Sequence, residues 1–122
     1  MYTQKQAVDI LQDACQSCKP IFGDALKRGY LYGSYARGDQ HKDSDIDIML
    51  LVDLPPEALC RFRREVAFVA SELSLNHEIT VSVSVNSYSQ FLRFADSLPF
   101  YQNVIREGIC YEVPQKRVLS SS

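Results

Sequence analysis

Asp45 and Asp47 stand one residue apart at the head of an apolar run, Asp45-Ile46-Asp47-Ile48-Met49-Leu50-Leu51-Val52. On a strand, alternate side chains share a face, so the two carboxylates project to one side with their Cα atoms ~6.5 Å apart. At ~5 Å between charges and an effective dielectric of ~20, their repulsion is roughly 3 kcal/mol. A fold with no use for that repulsion could remove it with one substitution. A divalent cation converts it into a binding site, and Mg²⁺ prefers carboxylates together with phosphate oxygens and retained waters. The matching chemistry is metal-assisted phosphoryl or nucleotidyl transfer. An acceptor oxygen attacks the α-phosphorus of a nucleoside triphosphate, pyrophosphate leaves, and two Mg²⁺ ions can stabilise the attacking and leaving oxygens.

Ten residues ahead of Asp45 lies a Gly33-Ser34 turn that follows a short apolar segment. Glycine lets backbone approach a phosphate closely. Ser34 supplies a hydroxyl and opens a brief helix whose free N–H groups face an anion. Arg37, one turn on, offers a phosphate contact, against which stands an ordinary surface ion pair with Asp39 or Asp43. Ser44 is placed to hydrogen-bond within the loop before Asp45, beside the nucleotide. A third carboxylate commonly completes such a centre. The only acid in the following strand is Glu78, which reaches the metals if that strand lies beside the first, and is otherwise a solvent-facing strand residue. A lone D-x-D is usually a solvated strand end. The conjunction of Gly-Ser with D-x-D, set between two strands, is far more specific. His41 reads as a loop residue and His77 as a polar strand end.

The elements that must position these groups follow from periodicity. Ala7, Val8, Leu11, Cys15 and Cys18 recur at helical spacing after Thr3, a suitable N-cap, and Pro20 is expected to end or kink that helix. A second helix is expected over 21–27, then a short strand over 30–32. The D-x-D strand spans 45–52, with Ile46, Ile48, Leu50 and Val52 on one face and Asp45, Asp47, Met49 and Leu51 on the other. Pro55-Pro56 breaks the chain. A helix over 57–73 carries Leu59, Phe62, Val66, Val69, Ala70 and Leu73 on one stripe. Residues 77–85 alternate as a strand, and 87–94 and 99–107 read as helices, the last opened by Pro99 and stopped by Gly108. Residues 109–111 form an edge strand. Strands and helices alternate without βαβ regularity, which gives an α/β fold of the mixed-sheet (α+β) kind, a small sheet packed with helices.

The 122 residues suffice for one compact domain, taken as 1–113 with a polar, flexible tail over 114–122. A net charge of −2 argues against stable nucleic-acid binding but not against a nucleotide, since a bound metal supplies local positive charge. No apolar run approaches the ~20 residues of a membrane span, and the polar N-terminus lacks a signal-peptide core. A cytoplasmic protein is expected, with Cys15, Cys18, Cys60 and Cys110 reduced and the first two buried in the core.

The segment Gly33-Ser34-Tyr35-Ala36-Arg37-Gly38, followed by Ser44-Asp45-Ile46-Asp47, closely resembles the signature of the polymerase-β-like nucleotidyltransferase superfamily. Its fuller form is similar to the minimal nucleotidyltransferase (MNT) proteins of bacteria and archaea. The order of elements extends the resemblance over most of the chain, and residues 99–108 are similar to the closing helix of a subgroup. The resemblance implies a nucleotidyltransferase core in which Gly33 and Ser34 hold the triphosphate, Asp45 and Asp47 bind Mg²⁺, and Glu78 is the third catalytic carboxylate. Family members often carry an aspartate deeper in that strand, where this chain has Thr80, Ser82 and Ser84. It also implies partners. MNT proteins are often paired with a small helical HEPN protein, and in such toxin–antitoxin pairs the MNT member transfers AMP from ATP to a toxin tyrosine. With no large second domain for a sizeable acceptor, a site shared with that partner or across a homo-oligomer is expected. The alternatives are transfer to an antibiotic-like small molecule, and a catalytically degenerate module that only binds nucleotide or partner.

Overall fold

The structure, a computed structural model, describes residues 2–115. Helix α1 (Gln4–Phe22) opens with a reciprocal capping box, the Thr3 hydroxyl accepting from the Gln6 amide while the Gln6 side chain accepts from the Thr3 amide. Pro20 neither ends nor divides it. Its missing N–H removes one bond in the last turn, and Cys18 and Phe22, both buried, hold that turn against the core. Gly23 ends the helix at φ +60. The expected helix over 21–27 is therefore absent. A single 3₁₀ turn, Gly23–Ala25, leads into β1 (Leu26–Tyr32), which begins four residues earlier than periodicity suggested.

Next come the short α2 (Ser34–Arg37), β2 (Ile46–Val52), and a helical stretch made of α3 (Pro56–Leu59), a 3₁₀ turn (Cys60–Phe62) and α4 (Arg63–His77). Strand β3 (Val81–Ser87), α5 (Tyr88–Phe94), α6 (Pro99–Glu107) and β4 (Ile109–Glu112) complete the described fold. The sheet order is β3-β2-β1-β4, with β3 parallel to β2 and the other pairs antiparallel. This is the expected mixed sheet packed with helices.

Both faces of the sheet are covered. Ile46, Ile48, Leu50 and Val52 are fully buried beneath α1 and α4, where they meet Leu11, Cys15, Val66 and Val69. Met49 and Leu51, on the opposite face, are equally buried against Tyr30, Phe91 of α5 and Val104 of α6. Each such side chain contributes roughly 1.5–3 kcal/mol on burial. Cys15 and Cys18 are free, buried core thiols, and burial pushes them up to about 12 and about 11. No helix of the described residues is long and apolar enough to cross a membrane.

Gly108 joins α6 to β4 where there is no room for a side chain. A Cβ there would lie 2.4 Å from the Val104 carbonyl oxygen and 3.0 Å from that of Leu31. Both are backbone atoms and cannot step aside. Gly108→Ala is expected to lower stability by about 1–3 kcal/mol, read as a fall in urea midpoint. An unchanged midpoint would contradict this packing.

The chain also stays in the fold beyond residue 113. Gln115 Nε2 donates to the Leu26 and Val113 carbonyls at 3.0 and 2.9 Å, and Lys19 Nζ donates to the Pro114 carbonyl at 3.2 Å. The rest of the tail expected over 114–122 lies outside the described residues.

Candidate active site

Strand pairing builds the site. The antiparallel β1–β2 register sets Tyr32 opposite Asp47, so the Gly33 turn at the end of β1 arrives beside the Asp47 carboxylate. Gly33 has φ +78, a left-handed conformation that disfavours any side chain. A Cβ on it would sit 2.6 Å from Asp47 Oδ2. The Gly33 carbonyl accepts from the Ala36 and Arg37 amides at 3.1 and 3.2 Å, which folds α2 directly after the turn. The amides of Ser34 and Tyr35, at the opening of that helix, have no intrahelical acceptor. Gly33, Ser34 and Asp47 thus converge on one end of the sheet.

Asp45 sits one residue before β2 and is exposed, while Asp47 is half-buried within the strand. Burial and the neighbouring Asp45 charge both raise the Asp47 carboxyl above the ordinary carboxylate range. The two anions are held together at a cost, and their hard oxygens suit a divalent cation that would relieve it. A third carboxylate does not join them: among the described residues no three of His, Cys, Asp and Glu lie close enough to hold a metal together.

Glu78 is not in the strand at all. Helix α4 runs on to His77, Glu78 caps it at φ 54, and β3 begins only at Val81. The alternation from 77 to 85 is genuine from Val81 onward. Of its first residues, however, His77 ends the helix and 78–80 form the turn into β3, with Ser74 bridging to the Val81 amide at 2.9 Å. The β2–β3 register then places Ser82, not an acid, beside Asp47, and Ser84 beside Met49. His77 is correspondingly helical and lies 3.3 Å from the Asp13 carboxylate of α1.

Arg37 is exposed and turned aside. Its guanidinium pairs with Asp39 at 3.1 Å and with Glu107 of α6 at 3.7 Å, the surface arrangement that competed with a phosphate contact. Ser44 is buried and closes the loop: its Oγ accepts from the His41 amide at 3.0 Å, and its own amide donates to the His41 carbonyl at 2.9 Å. It positions Asp45 from within the loop. His41 is a loop residue as expected, its Nδ1 accepting from the Asp43 amide.

Three residues of the site were not singled out by sequence. Gln4 Nε2 donates to the carbonyls of Tyr35 and Ala36 at 3.2 and 2.9 Å, tying α2 to the start of α1. Tyr32, paired with Asp47 across β1–β2, is half-buried, and burial holds its hydroxyl up. Phe100 of α6 meets the Tyr32 ring edge-on at 5.6 Å. Alternation from Asp47 would have placed Tyr32 on this face had the register been known, whereas Gln4 carries no sequence signal. Gln4→Ala is expected to cost about 1 kcal/mol of stability and to weaken triphosphate binding a few-fold, measured by calorimetric titration. Unaltered affinity would free α2 from its dependence on Gln4. A groove of about 1110 Å³ lies elsewhere, between α1 and α4 and lined by Ile21, Arg64 and Phe68 among others. It contains none of these residues.

A family model described as nucleotidyltransferase domain matches residues 13–108, which include the whole Gly33–Asp47 constellation. The chain belongs to this nucleotidyltransferase family. Among similar proteins, "Putative protein adenylyltransferase MJ0141" of Methanocaldococcus jannaschii is 29% identical over 96 residues, covering 79% of this chain and 95% of that protein. "Putative protein adenylyltransferase MJ0604" of the same organism is 28% identical over 98 residues, covering 80% and 90%. A solved structure described as the toxin-antitoxin with AMP-PNP aligns with a TM-score of 0.50 at 25% identity, covering 95% of this nucleotidyltransferase and 76% of that chain. The family, the mixed-sheet fold and the assignment as an enzyme thus agree with what the signature residues implied.

Proposed function

We propose that this nucleotidyltransferase transfers AMP from ATP to a hydroxyl of a partner protein, a tyrosine of a HEPN-type toxin being the acceptor implied by its MNT character, so that the chain acts as the antitoxin. The observation that carries the reading is the juxtaposition of Asp47 with the Gly33-Ser34 turn across the β1–β2 pair. The names of the M. jannaschii relatives and the AMP-PNP-bound toxin-antitoxin structure support adenylyl transfer to a protein.

In this reading Asp45 and Asp47 hold Mg²⁺, which neutralises phosphate charge and polarises the α-phosphorus when bound. Gly33 lets the backbone approach the triphosphate without a side chain intervening. The Ser34 hydroxyl and the free amides at the start of α2 take phosphate oxygens. Ser44 fixes the loop that delivers Asp45, and Gln4 fixes α2. Arg37 joins the phosphates only by leaving Asp39 and Glu107. Glu78 is too far out of β3 to act as drawn from the sequence, and it contributes only if the end of α4 moves.

The test uses ATP labelled at the α-phosphate, incubated with the protein, Mg²⁺ and its genomic neighbours co-expressed as candidate acceptors. Label on a protein tyrosine, lost with Asp45→Asn, is the expected result. Label appearing efficiently on a small molecule with the protein alone would refute the protein-acceptor reading. One observation favours a second reading, a binding-only module: no third carboxylate joins the pair. Under it, Asp45→Asn leaves partner binding intact and no label is transferred by wild type.

A further inference from the structure

We infer that this site takes up one divalent cation with its nucleotide rather than two, and that Ser82 is the residue that sets the count. The inference rests on the proposed nucleotidyl-transfer reading and deepens it.

The parallel β2–β3 register pairs Asp47 with Ser82. Paired residues of neighbouring strands lie ~4.8 Å apart with their side chains on the same face. Position 82 is therefore where β3 can add a ligand beside Asp47, and it carries an exposed, neutral hydroxyl. A serine hydroxyl brings no charge to a hard cation that binds through carboxylates, phosphates and water.

Neither the expected third carboxylate nor the acids paired with Arg37 stand at that position. Glu78 caps α4, while Asp39 and Glu107 face Arg37. No described group of three potential ligands exists, and residues 116–122 of the sequence contain no acid, histidine or cysteine.

The two cation positions of a paired-metal centre differ in what they need. A cation on the triphosphate draws most of its ligands from the nucleotide and needs only Asp45 and Asp47. A second cation, on the acceptor side, depends chiefly on protein oxygens. It would have to share the same two carboxylates with a like charge ~3.5–4 Å away. With Ser82 at the third corner, nothing offsets that repulsion. Ser82 is thus a specificity-determining residue for cation number, and the acceptor side of the site is left open to whatever the acceptor itself brings.

The experiment counts protein-bound Mn²⁺ per bound nucleotide, by electron paramagnetic resonance during titration with saturating β,γ-imido ATP. Wild type and Ser82→Ala are expected to bind one ion. Ser82→Asp and Ser82→Glu, each checked for fold by circular dichroism, are expected to bind a second at least ten-fold more tightly than wild type does. Two ions in wild type at comparable affinity would overturn the inference. So would a folded, nucleotide-binding Ser82→Asp and Ser82→Glu that both stay at one. Absence of any nucleotide-dependent Mn²⁺ uptake by wild type, or uptake that survives Asp45→Asn/Asp47→Asn, would instead refute the underlying reading of the site, and the inference with it.

Discussion

Asp47→Asn is expected to abolish transfer and at the same time to make the protein more heat-stable. The carboxyl is raised first by its burial and second by Asp45, so the folded protein holds this proton more tightly than the unfolded chain does. Stability therefore rises as pH falls from the raised folded value toward the ordinary one, and above the raised value the cost of the buried charge is present in full. Asparagine keeps the shape and removes the charge. At pH 7 the melting temperature should climb by roughly 1–3 °C, a modest figure because the group is only half-buried and solvent screens it. Below about pH 3, under the ordinary carboxylate value, the difference should vanish. Activity moves the other way. Losing a carboxylate of the proposed metal site should remove several kcal/mol of transition-state stabilisation, and ~4 kcal/mol corresponds to about a thousand-fold in rate. Thermal melts at the two pH values, beside a transfer assay, check both halves. A variant that melts earlier than wild type at pH 7 would mean that Asp47 has a structural partner not seen here. A fully active one would remove it from the site.

Gly33→Ala carries the second large effect, through geometry rather than charge. The backbone at φ +78 disfavours a Cβ, and the added carbon would lie 2.6 Å from Asp47 Oδ2. The left-handed conformation costs about 1–3 kcal/mol in a non-glycine residue. The carboxylate relieves the contact by swinging away from the Gly33-Ser34 turn. Stability should drop by about that amount, and ATP affinity in the presence of Mg²⁺ should fall at least ten-fold, read by calorimetric titration. Gly38 provides the control. It also sits at positive φ, 82, but a Cβ there meets nothing within 4 Å. Gly38→Ala should show the stability loss and keep most of the affinity. Equal affinity losses for the two variants would assign the effect to loop strain alone and not to the Gly33–Asp47 contact.

Much of the candidate site was legible because its parts are close in sequence. The D-x-D strand, the faces of β2 and the limits of α6 depend on alternation, helical spacing and local breakers, and those carry over directly into the fold. The misreadings share one cause. At Pro20 and again at residues 77–80 a local preference competed with tertiary packing. Buried Cys18 and Phe22 kept α1 helical past its proline, and α4 runs on to His77 and a left-handed cap at Glu78, with Ser74 bonded to the Val81 amide where β3 begins. Four residues of helix beyond the expected end at 73, and the turn after them, were enough to carry Glu78 out of β3.

The sequence by itself determined the family and the candidate groups: two carboxylates two residues apart, a glycine and a serine ten residues ahead, and the strands that bear them. Tertiary structure alone decided what stands beside them. Strand register is a relation between distant segments and leaves no periodic trace in either one. Only the β1–β2 pairing brings Gly33 to Asp47, and only the β2–β3 pairing puts Ser82, rather than an acid, at its other side.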